Sequence, residues 1–507
     1  MLLLGIDLGT SSIKVSVVDA GTQQCLASAQ YPETEVDIIS LDPGWAEQSP
    51  DLWWEHVKQA VLKCNASDAY DPKDIAAIGI AYQMHGLVVV DKELKVLRNS
   101  LIWCDGRAVT IGEKAFNNIG ENSCLTHLLN SPGNFTASKL AWVKENEPDI
   151  FGRTFKMMLP GDFISMKLTG EVTTTVPALS EAILWDFVEH SVSTEMLQYF
   201  GFDASMIPAL QPLFSHHGYV MESVAERLSL TPGIPVTYKA GDQLNNAFSL
   251  NVLEPGEVAA TAGTSGVIYG VSDRMNYDPL SRINSFAHVN HEQYKTRIGV
   301  LLCINGAGIF NRWVRNMIGA QHSYESLNTA ATSVNAGSEG LMMLPFGNGP
   351  ERMLNNRLIG AHIHNLDLNL HTTAHLVRAA QEGIAFAFRY GLDIMRENGF
   401  TTGIIRAGRS NMFLSDVFTR SFVNTTGVPV ELYGVDGSIG AALGAGVGAK
   451  LFKDLSAAFA NRRSLRTMEP SHQQEYNDLY FKWKNLLETQ LQKTYEANDT
   501  LSLAGLK

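Results

Sequence analysis

The chain has 507 residues, of which 45% are hydrophobic and 18% charged, and its formal net charge is −13. This length predicts roughly two to four folded units, and the acidic balance excludes the basic surface that nucleic acid or an anionic membrane would require. No apolar run reaches the length of a membrane helix, and five scattered cysteines without a Cys-x-x-Cys pair argue against disulfides and zinc and favour the cytoplasm.

The first predicted elements form a meander of three short strands. These strands are Leu2 to Ile6, Ile13 to Val18 and Gln24 to Ala29, and the turn Gly9-Thr10-Ser11 joins the first two. Such a turn offers free backbone N–H groups and two hydroxyls within a few ångströms, which suits phosphate oxygens. Asp7, at the end of the first strand, is a candidate to hold Mg²⁺ through water.

Two further predicted strands end in polar residues. The strand Ile75 to Ala81 is followed by Gln83-Met84-His85, and the strand Leu101 to Trp103 is followed by Asp105. Polar side chains at strand ends mark the binding crevice of an open α/β sheet. We therefore expect both groups to reach one pocket. Trp103 itself is predicted to be a core residue, because it belongs to an apolar strand.

The middle of the chain carries a candidate base and a second phosphate turn. A predicted strand from Pro235 to Lys239 leads into Gly241-Asp242-Gln243 and a helix from Leu244 to Leu250. The turn Gly263-Thr264-Ser265 then repeats the opening phrase between an apolar and a β-branched run. One such turn is often only a tight turn. Its duplication indicates two related halves with a nucleotide between them.

The last part of the chain is predicted to alternate helices and strands. A long amphipathic helix covers His375 to Glu397, and the strand Gly403 to Arg406 runs into the loop through Gly408 and Asn411. The strand Val428 to Leu432 then leads into a helix of small residues from 440 to 448, whose backbone can lie close to a neighbour. A helix from 473 to 491 completes the predicted elements.

Taken together, these motifs resemble the FGGY family of carbohydrate kinases, within the superfamily of sugar kinases, actin and heat-shock ATPases. The resemblance covers residues 2 to 450. The stretches that carry it are Gly5 to Ser11, Gly44 to Gln48 with Trp53 and Trp54, Gly241 to Gln243, Ala262 to Gly266, and His375 to Gly383.

The resemblance implies a fold and a division into domains. It implies an α/β chain with two ribonuclease H-like domains around a central cleft. Residues 1–250 would then bind sugar and carry the first phosphate hairpin, and residues 251–450 would bind the nucleotide. Residues 451–507 would form a helical extension packed on the second domain.

The resemblance also implies an activity, with ATP and Mg²⁺ as its cofactors. Within the family, the segment from Gln83 to Leu87 with Trp103 to Arg107 is similar to xylulose kinases, whereas glycerol kinases carry arginine and glutamate at 84 and 85. D-xylulose is therefore the expected acceptor. The implied sugar ligands are Gln83, Met84, His85, Asp105 and Asp242, and Asp242 would take the proton of the attacking hydroxyl.

The implied nucleotide ligands come from both turns and from the later loop. They are Gly9, Thr10, Ser11, Gly263, Thr264, Ser265, Gly408 and Asn411, with Asp7 as the metal ligand. One departure concerns Arg406 and Ala407, which stand where relatives often have glycines. We expect Arg406 to alter the floor of the nucleotide site.

Several of these residues have simpler interpretations. Asp242 could cap the helix that follows it, and His85 could satisfy a buried carbonyl. Glu47 and Gln48 could be surface groups or lie near the sugar.

The function also has alternatives. The chain could phosphorylate L-ribulose, gluconate or a deoxyketose, or it could be an ATP-driven binding module of the actin or heat-shock type. The cluster of Met84, His85, Asp105 and Asp242 argues against the last. The sequence leaves open whether the chain forms a homodimer.

Overall fold

The computed structural model describes the backbone of residues 1–503 and the side chains of residues 1–494, so the end of the predicted extension, residues 504–507, lies outside the described residues. The strands of the first half are β1 (Leu2–Leu8), β2 (Ile13–Asp19), β3 (Cys25–Tyr31), β4 (Glu47–Gln48), β5 (Ile75–Tyr82), β6 (Val88–Val90), β7 (Ser100–Leu101), β8 (Lys156–Met158), β9 (Thr173–Thr174), β10 (Trp185–Asp186), β11 (Ser191–Val192), β12 (Ala209–Leu210) and β13 (Val236–Gly241). Its helices are α1 (Pro50–Asn65), α2 (Val109–Ile119), α3 (Glu121–Ser123), α4 (Thr136–Asn146), α5 (Pro148–Arg153), α6 (Pro160–Thr169), α7 (Val176–Glu181), α8 (Thr194–Phe200), α9 (Glu222–Leu228) and α10 (Asp242–Ser249).

The second half contains the remaining elements. Its strands are β14 (Glu257–Ala262), β15 (Gly266–Ser272), β16 (Asn284–Ala287), β17 (Ile298–Ile304), β18 (Met342–Phe346), β19 (Gly360–His364), β20 (Ile404–Gly408), β21 (Val430–Tyr433) and β22 (Arg466–Met468). Its helices are α11 (Gly308–Gly319), α12 (Tyr324–Ala331), α13 (Thr373–Glu397), α14 (Asp416–Thr426), α15 (Gly437–Gly448) and α16 (Gln473–Leu503). Among the described helices, none combines the length and the apolar character that crossing a bilayer requires.

Each half is built on one large sheet, and the two sheets share a topology. The first has the order β13-β5-β1-β2-β3, and the second has the order β16-β17-β15-β14-β20-β21-β22. In both, antiparallel pairs form the meander side (β1-β2-β3 and β14-β15-β17). Parallel strands form the other side (β1-β5-β13 and β14-β20-β21). This repeat confirms the predicted α/β class with two ribonuclease H-like sheets.

The core strands are apolar because helices cover both faces of each sheet. β1 and β5 are buried along almost their whole length. α15, from the second half, lies directly on them, and glycines make this approach possible. A Cβ on Gly5 would stand 1.8 Å from the Ser438 oxygen, and one on Gly79 would stand 2.0 Å from the Ala441 oxygen.

The predicted end of the strand 101–103 is wrong. β7 contains only Ser100 and Leu101, and Trp103 lies beyond it with 53% of its surface exposed. The prediction of a core tryptophan is therefore also wrong. An apolar run of three residues does not reveal where strand pairing stops.

The C-terminal helix packs on the second half through one face. Tyr476, Tyr480, Trp483 and Leu487 are buried, and the Trp483 indole donates a hydrogen bond of 2.8 Å to the backbone oxygen of Met343 in β18. These buried residues recur every third or fourth position, as expected for one face of an α-helix.

Candidate active site

The second phosphate turn lines a cavity of about 370 Å³ between the two halves. Residues from the second half that line it include Gly263, Thr264, Ser265, Gly408 and Asn411. The structure thus brings these five predicted nucleotide ligands together. The residues of the first turn, 9–11, are absent from this lining. The first half contributes Lys14, Gln243 and Asn246 instead.

A neighbouring cavity of about 730 Å³ has the size and lining of a nucleoside site. It shares Gly263, Thr264 and Asn411 with the first cavity, so the two are continuous. Its floor includes Gln381, whose amide donates to Asn328 at 2.8 Å and accepts from the Ser415 hydroxyl at 2.7 Å. The pair of cavities can accept a polyphosphate in one and a base with its ribose in the other.

Arg406 does not line either cavity. Its guanidinium lies between Glu257 of β14 at 2.9 Å and Glu431 of β21 at 3.0 Å. Ala407 is fully buried. Arg406 therefore links three neighbouring strands of the second sheet, and the nucleotide floor is formed by other residues.

Asp7 lies where the two halves meet. Its carboxylate approaches the backbone of Gly437, where a Cβ would stand only 2.2 Å from Asp7 Oδ2, and Gly437 lines the smaller cavity. Burial first, and then the nearby carboxylates of Asp242 and Asp436, together raise the pKa of Asp7 to about 7. The site therefore carries an excess of negative charge that a cation would relieve.

The predicted base lies at the edge shared by two parallel strands. Gly241 of β13 pairs with Tyr82 of β5, so Asp242 and the residues after Tyr82 emerge side by side. A Cβ on Gly241 would stand 2.6 Å from Met84 Cγ. Burial raises the pKa of Asp242 to about 6. The helix-capping alternative is not supported, since Gly241 is the cap of α10 and no side chain caps this helix.

His85 is neutral and has a defined tautomer. Its Nδ1 lies 3.1 Å from the backbone oxygen of Glu181, and a carbonyl oxygen can only accept, so Nδ1 carries the proton. Burial, followed by the charge of Lys139, lowers the pKa of His85 to about 3. Nε2 is consequently a hydrogen-bond acceptor. Satisfying a buried carbonyl and binding a ligand hydroxyl are thus compatible roles for the same ring.

A polar network connects the first turn to the acceptor side. The Trp103 indole donates to Thr10 Oγ1 at 3.0 Å, and Thr10 Oγ1 donates to Gln83 Oε1 at 3.3 Å. Gln48 donates to the Thr10 carbonyl at 2.8 Å. The hydroxyl of Thr10 is therefore engaged by Trp103 and Gln83.

Asp105 is engaged by protein groups. It is fully buried and accepts hydrogen bonds from the backbone N–H of Ala46 at 2.6 Å and from the Arg107 guanidinium at 2.7 Å. Arg107 also pairs with Glu47 at 2.8 Å. Glu47 and Gln48 are likewise buried, so neither is a surface group. Asp105 therefore holds Ala46 and Arg107 in place, and its direct contact with sugar stays a prediction.

Three residues near the cleft were missed by the sequence reasoning. Lys14 on β2 forms an ion pair of 3.2 Å with Asp436, and both line the smaller cavity. Lys14 could have been identified from the sequence, because it is a lone basic residue just after the first turn. The third is Arg352, in a loop that lacks periodicity and gives no such signal.

Comparison with known proteins assigns the whole arrangement to a family. The model of the FGGY carbohydrate kinase N-terminal domain matches residues 2–249, and that of the C-terminal domain matches residues 258–449. The chain is 27% identical to a xylulose kinase of Bacillus subtilis over 501 residues, covering 96% of each protein. It is 29% identical to one of Haemophilus influenzae over 416 residues, covering 80% of this chain and 82% of that protein.

Solved structures agree with this fold. A xyloylose kinase from Brucella ovis superposes with a TM-score of 0.87 at 25% identity, over 96% of this chain and 99% of the other. A glycerol kinase from Plasmodium falciparum with ADP shares the fold, with a TM-score of 0.86 at 21% identity over 97% and 98%. The two family models together span most of the chain, which therefore belongs to the FGGY family of carbohydrate kinases and is an ATP-dependent sugar kinase.

Proposed function

We propose that the protein transfers the γ-phosphate of ATP to D-xylulose and yields D-xylulose 5-phosphate. The observation that carries this proposal is the position of Asp242 between Gly241, which packs on Met84, and Gln243, which lines the smaller cavity. The curated relatives described above are xylulose kinases, which supports the choice of ketose. L-ribulose, gluconate and a deoxyketose are the competing acceptors within the family.

Asp242 acts as the general base in this proposal. The sugar hydroxyl attacks the γ-phosphorus, its new O–P bond forms as the bond to the β-phosphate oxygen breaks, and its proton passes to the Asp242 carboxylate. A positioned base of this kind contributes about 10² to 10⁴-fold. The raised pKa of Asp242 suits the role, because a more basic carboxylate accepts a proton more readily while remaining ionised near neutral pH.

His85 and Met84 position the acceptor. With its proton held by the Glu181 carbonyl, His85 accepts a hydrogen bond from a sugar hydroxyl through Nε2. Met84 lies against Gly241 and provides an apolar wall beside the base. Such a wall restricts the orientations in which the reacting hydroxyl can approach, which is a large part of catalysis in phosphoryl transfer.

The phosphates would be held by both halves. The Gly9 N–H donates to the Ser12 carbonyl at 3.2 Å, so the backbone N–H groups of residues 10–11 and 263–265 would approach the β- and γ-phosphates. Lys14 adds a positive charge within the cavity that these phosphates would enter. Gly408 and Asn411 would border the junction between phosphate and nucleoside, because Asn411 lines both cavities.

The residues present also fit Mg²⁺. Asp7 is a half-buried carboxylate beside two other acidic groups, and Mg²⁺ usually takes one or two carboxylates together with waters and phosphate oxygens. Among the described residues no cluster of three or more metal-binding side chains exists, which is compatible with this mode of binding. When bound, Mg²⁺ would neutralise charge on the phosphates, and Asp7 would hold it.

A coupled ADP-release assay tests the proposal. The wild-type protein is assayed with D-xylulose, L-ribulose, gluconate, a deoxyketose and glycerol, and D-xylulose is expected to give the highest kcat/KM. Asp242→Ala is expected to abolish transfer to sugar while ATP binding, measured by calorimetry, is retained. Full activity of this variant would remove Asp242 from its role, and a preferred aldonate or polyol would replace the proposed substrate.

A further inference from the structure

Arg352 belongs to the second half and lies against Phe135 of the first. It begins a short 3₁₀ helix, Arg352–Leu354, between β18 and β19. The preceding residue, Glu351, is buried, and its carboxylate accepts hydrogen bonds from the backbone N–H groups of Asn305 at 3.0 Å and Gly306 at 2.9 Å. These bonds hold the loop against the end of β17 and so fix the position of the Arg352 backbone.

The Arg352 side chain meets the acceptor residues of the first half. Its Nη1 donates to Asn284 Oδ1 at 2.8 Å, and its guanidinium carbon lies 5.9 Å from the centre of the Phe135 ring. The same ring packs edge-on against the ring of His85 at 4.8 Å. Arg352 and His85 therefore approach one aromatic side chain from the two halves of the molecule.

The Arg352 guanidinium has no anionic partner among the side chains that the structure describes. Within residues 1–494, no carboxylate lies within ion-pair distance of Arg352, and the carboxylate of the neighbouring Glu351 accepts from backbone N–H groups. Among the described residues, its side chain donates only to the neutral amide of Asn284, although a guanidinium has five N–H donors. An oxygen-rich ligand in the cleft would supply the missing acceptors.

Arg352 and His85 make opposite demands on such a ligand. A guanidinium can only donate hydrogen bonds, whereas His85 Nε2 can only accept one. The ligand must therefore present a proton to His85 and lone pairs to Arg352. A hydroxyl facing Arg352 would still need an acceptor for its own proton, whereas a carbonyl oxygen has two lone pairs and no proton to place. An open-chain hydroxyketone meets both demands at neighbouring positions.

We propose that Arg352 is the specificity-determining residue that binds the carbonyl oxygen of the acceptor and selects a ketose over the corresponding polyol. This inference rests on the proposed kinase function and names the group by which the acceptor is recognised. Because Arg352 comes from the second half and His85 from the first, a ketose spans the cleft. A polyol has a hydroxyl in place of the carbonyl, so it would lose the matched acceptor for Arg352.

The test compares D-xylulose with xylitol, which retains the hydroxyl groups and lacks the carbonyl. Steady-state kcat and KM for D-xylulose and the inhibition constant of xylitol against it are measured for wild type, Arg352→Met and Arg352→Lys. Arg352→Met is expected to lower kcat/KM for D-xylulose by about 10- to 100-fold, as for loss of a charge-assisted hydrogen bond. The inhibition constant of xylitol is expected to change by less than about threefold in the same variant. Arg352→Lys should recover part of the loss, because lysine donates without the fork geometry.

The matched control is Arg274→Met, which removes an exposed arginine of the same half and should leave both constants unchanged. Equal losses for D-xylulose and xylitol in Arg352→Met would overturn the inference, as would a wild-type preference for xylonate that depends on Arg352. If the wild type phosphorylates no ketose, the proposed function fails. Calorimetric binding of D-xylulose to wild type and Arg352→Met then still decides whether Arg352 holds the ketose.

Discussion

At the scale of single residues, the site depends on carboxylates whose protonation is set by burial. Asp242 has a pKa near 6 and Asp7 a pKa near 7, both far above the usual range of aspartate. The strands that carry them end together at the cleft, where little water is available to solvate the charged forms. Each therefore takes up a proton at a pH where an exposed aspartate stays ionised.

This shift predicts an acid limb in the pH dependence of activity. Asp242 must be ionised to accept a proton, and a raised pKa means that the ionised fraction falls as the pH decreases through about 6. We expect kcat/KM for the sugar to fall in the same range, with a tenfold loss per unit at lower pH. The measurement is the initial rate from pH 5 to 9 at saturating ATP. A flat profile down to pH 5 would contradict the assignment of the base.

Side-chain contacts between distant residues were the least predictable part of the site. Asp242, Met84 and His85 could be placed because each follows a strand directly, and the strand pattern is local. Trp103 was misplaced, since its exposure depends on Thr10, more than ninety positions away in the chain. Arg352 was missed for the same reason, because its neighbours Phe135 and Asn284 come from separate parts of the chain.

At the scale of elements, the hairpins and strand order follow from local signals. Gly-Thr-Ser turns between β-rich runs predicted β1-β2 and β14-β15, and both form. The boundary errors are small where polar residues follow the element, as for the strand predicted from Ile75 to Ala81, which forms as β5, Ile75–Tyr82. The sequence could not show that α15 crosses to the first sheet, since its small residues permit several close packings.

The contact between α15 and the first sheet gives a stability prediction. A methyl group at Gly79 would stand 2.0 Å from the Ala441 backbone oxygen, which cannot move without shifting the helix. Gly79→Ala is expected to lower the free energy of unfolding by about 1 to 3 kcal/mol or more, as overpacking does. Thermal and urea unfolding of the purified variant measure the change.

Gly152→Ala serves as the matched control for this variant. Gly152 lies in α5, and a Cβ there would meet nothing within 4 Å. This change should be neutral or stabilise by up to about 1 kcal/mol, because alanine is the better helix former. If the two variants unfold alike, close backbone packing at Gly79 is not what constrains that position.

At the scale of the whole molecule, hydrogen bonds join the two halves. On the acceptor side, Asn130 exchanges two hydrogen bonds with the backbone of Ser285, at 2.6 and 3.0 Å, and the Ser180 hydroxyl accepts from Ala287 at 3.0 Å. These bonds bring the first half against edge strand β16. Both substrates must therefore enter a space whose walls belong to different halves.

This arrangement predicts that sugar controls the use of ATP. Closure around both substrates excludes water from the phosphate, so ATP hydrolysis without sugar should be at least about 100-fold slower than transfer with D-xylulose. ADP release is measured with and without the ketose under identical conditions. Equal rates would contradict closure and would favour an ATP-driven binding module instead.

The position of Thr10 has a consequence for the order of events. Its main chain belongs to the turn that would receive nucleotide phosphate, while its hydroxyl is tied through Gln83 and Trp103 to the acceptor wall. Phosphate bound at the turn and a sugar bound at the acceptor wall would both change the energy of the same residue, Thr10. The affinities for donor and acceptor are then thermodynamically linked, and this linkage works equally in both directions.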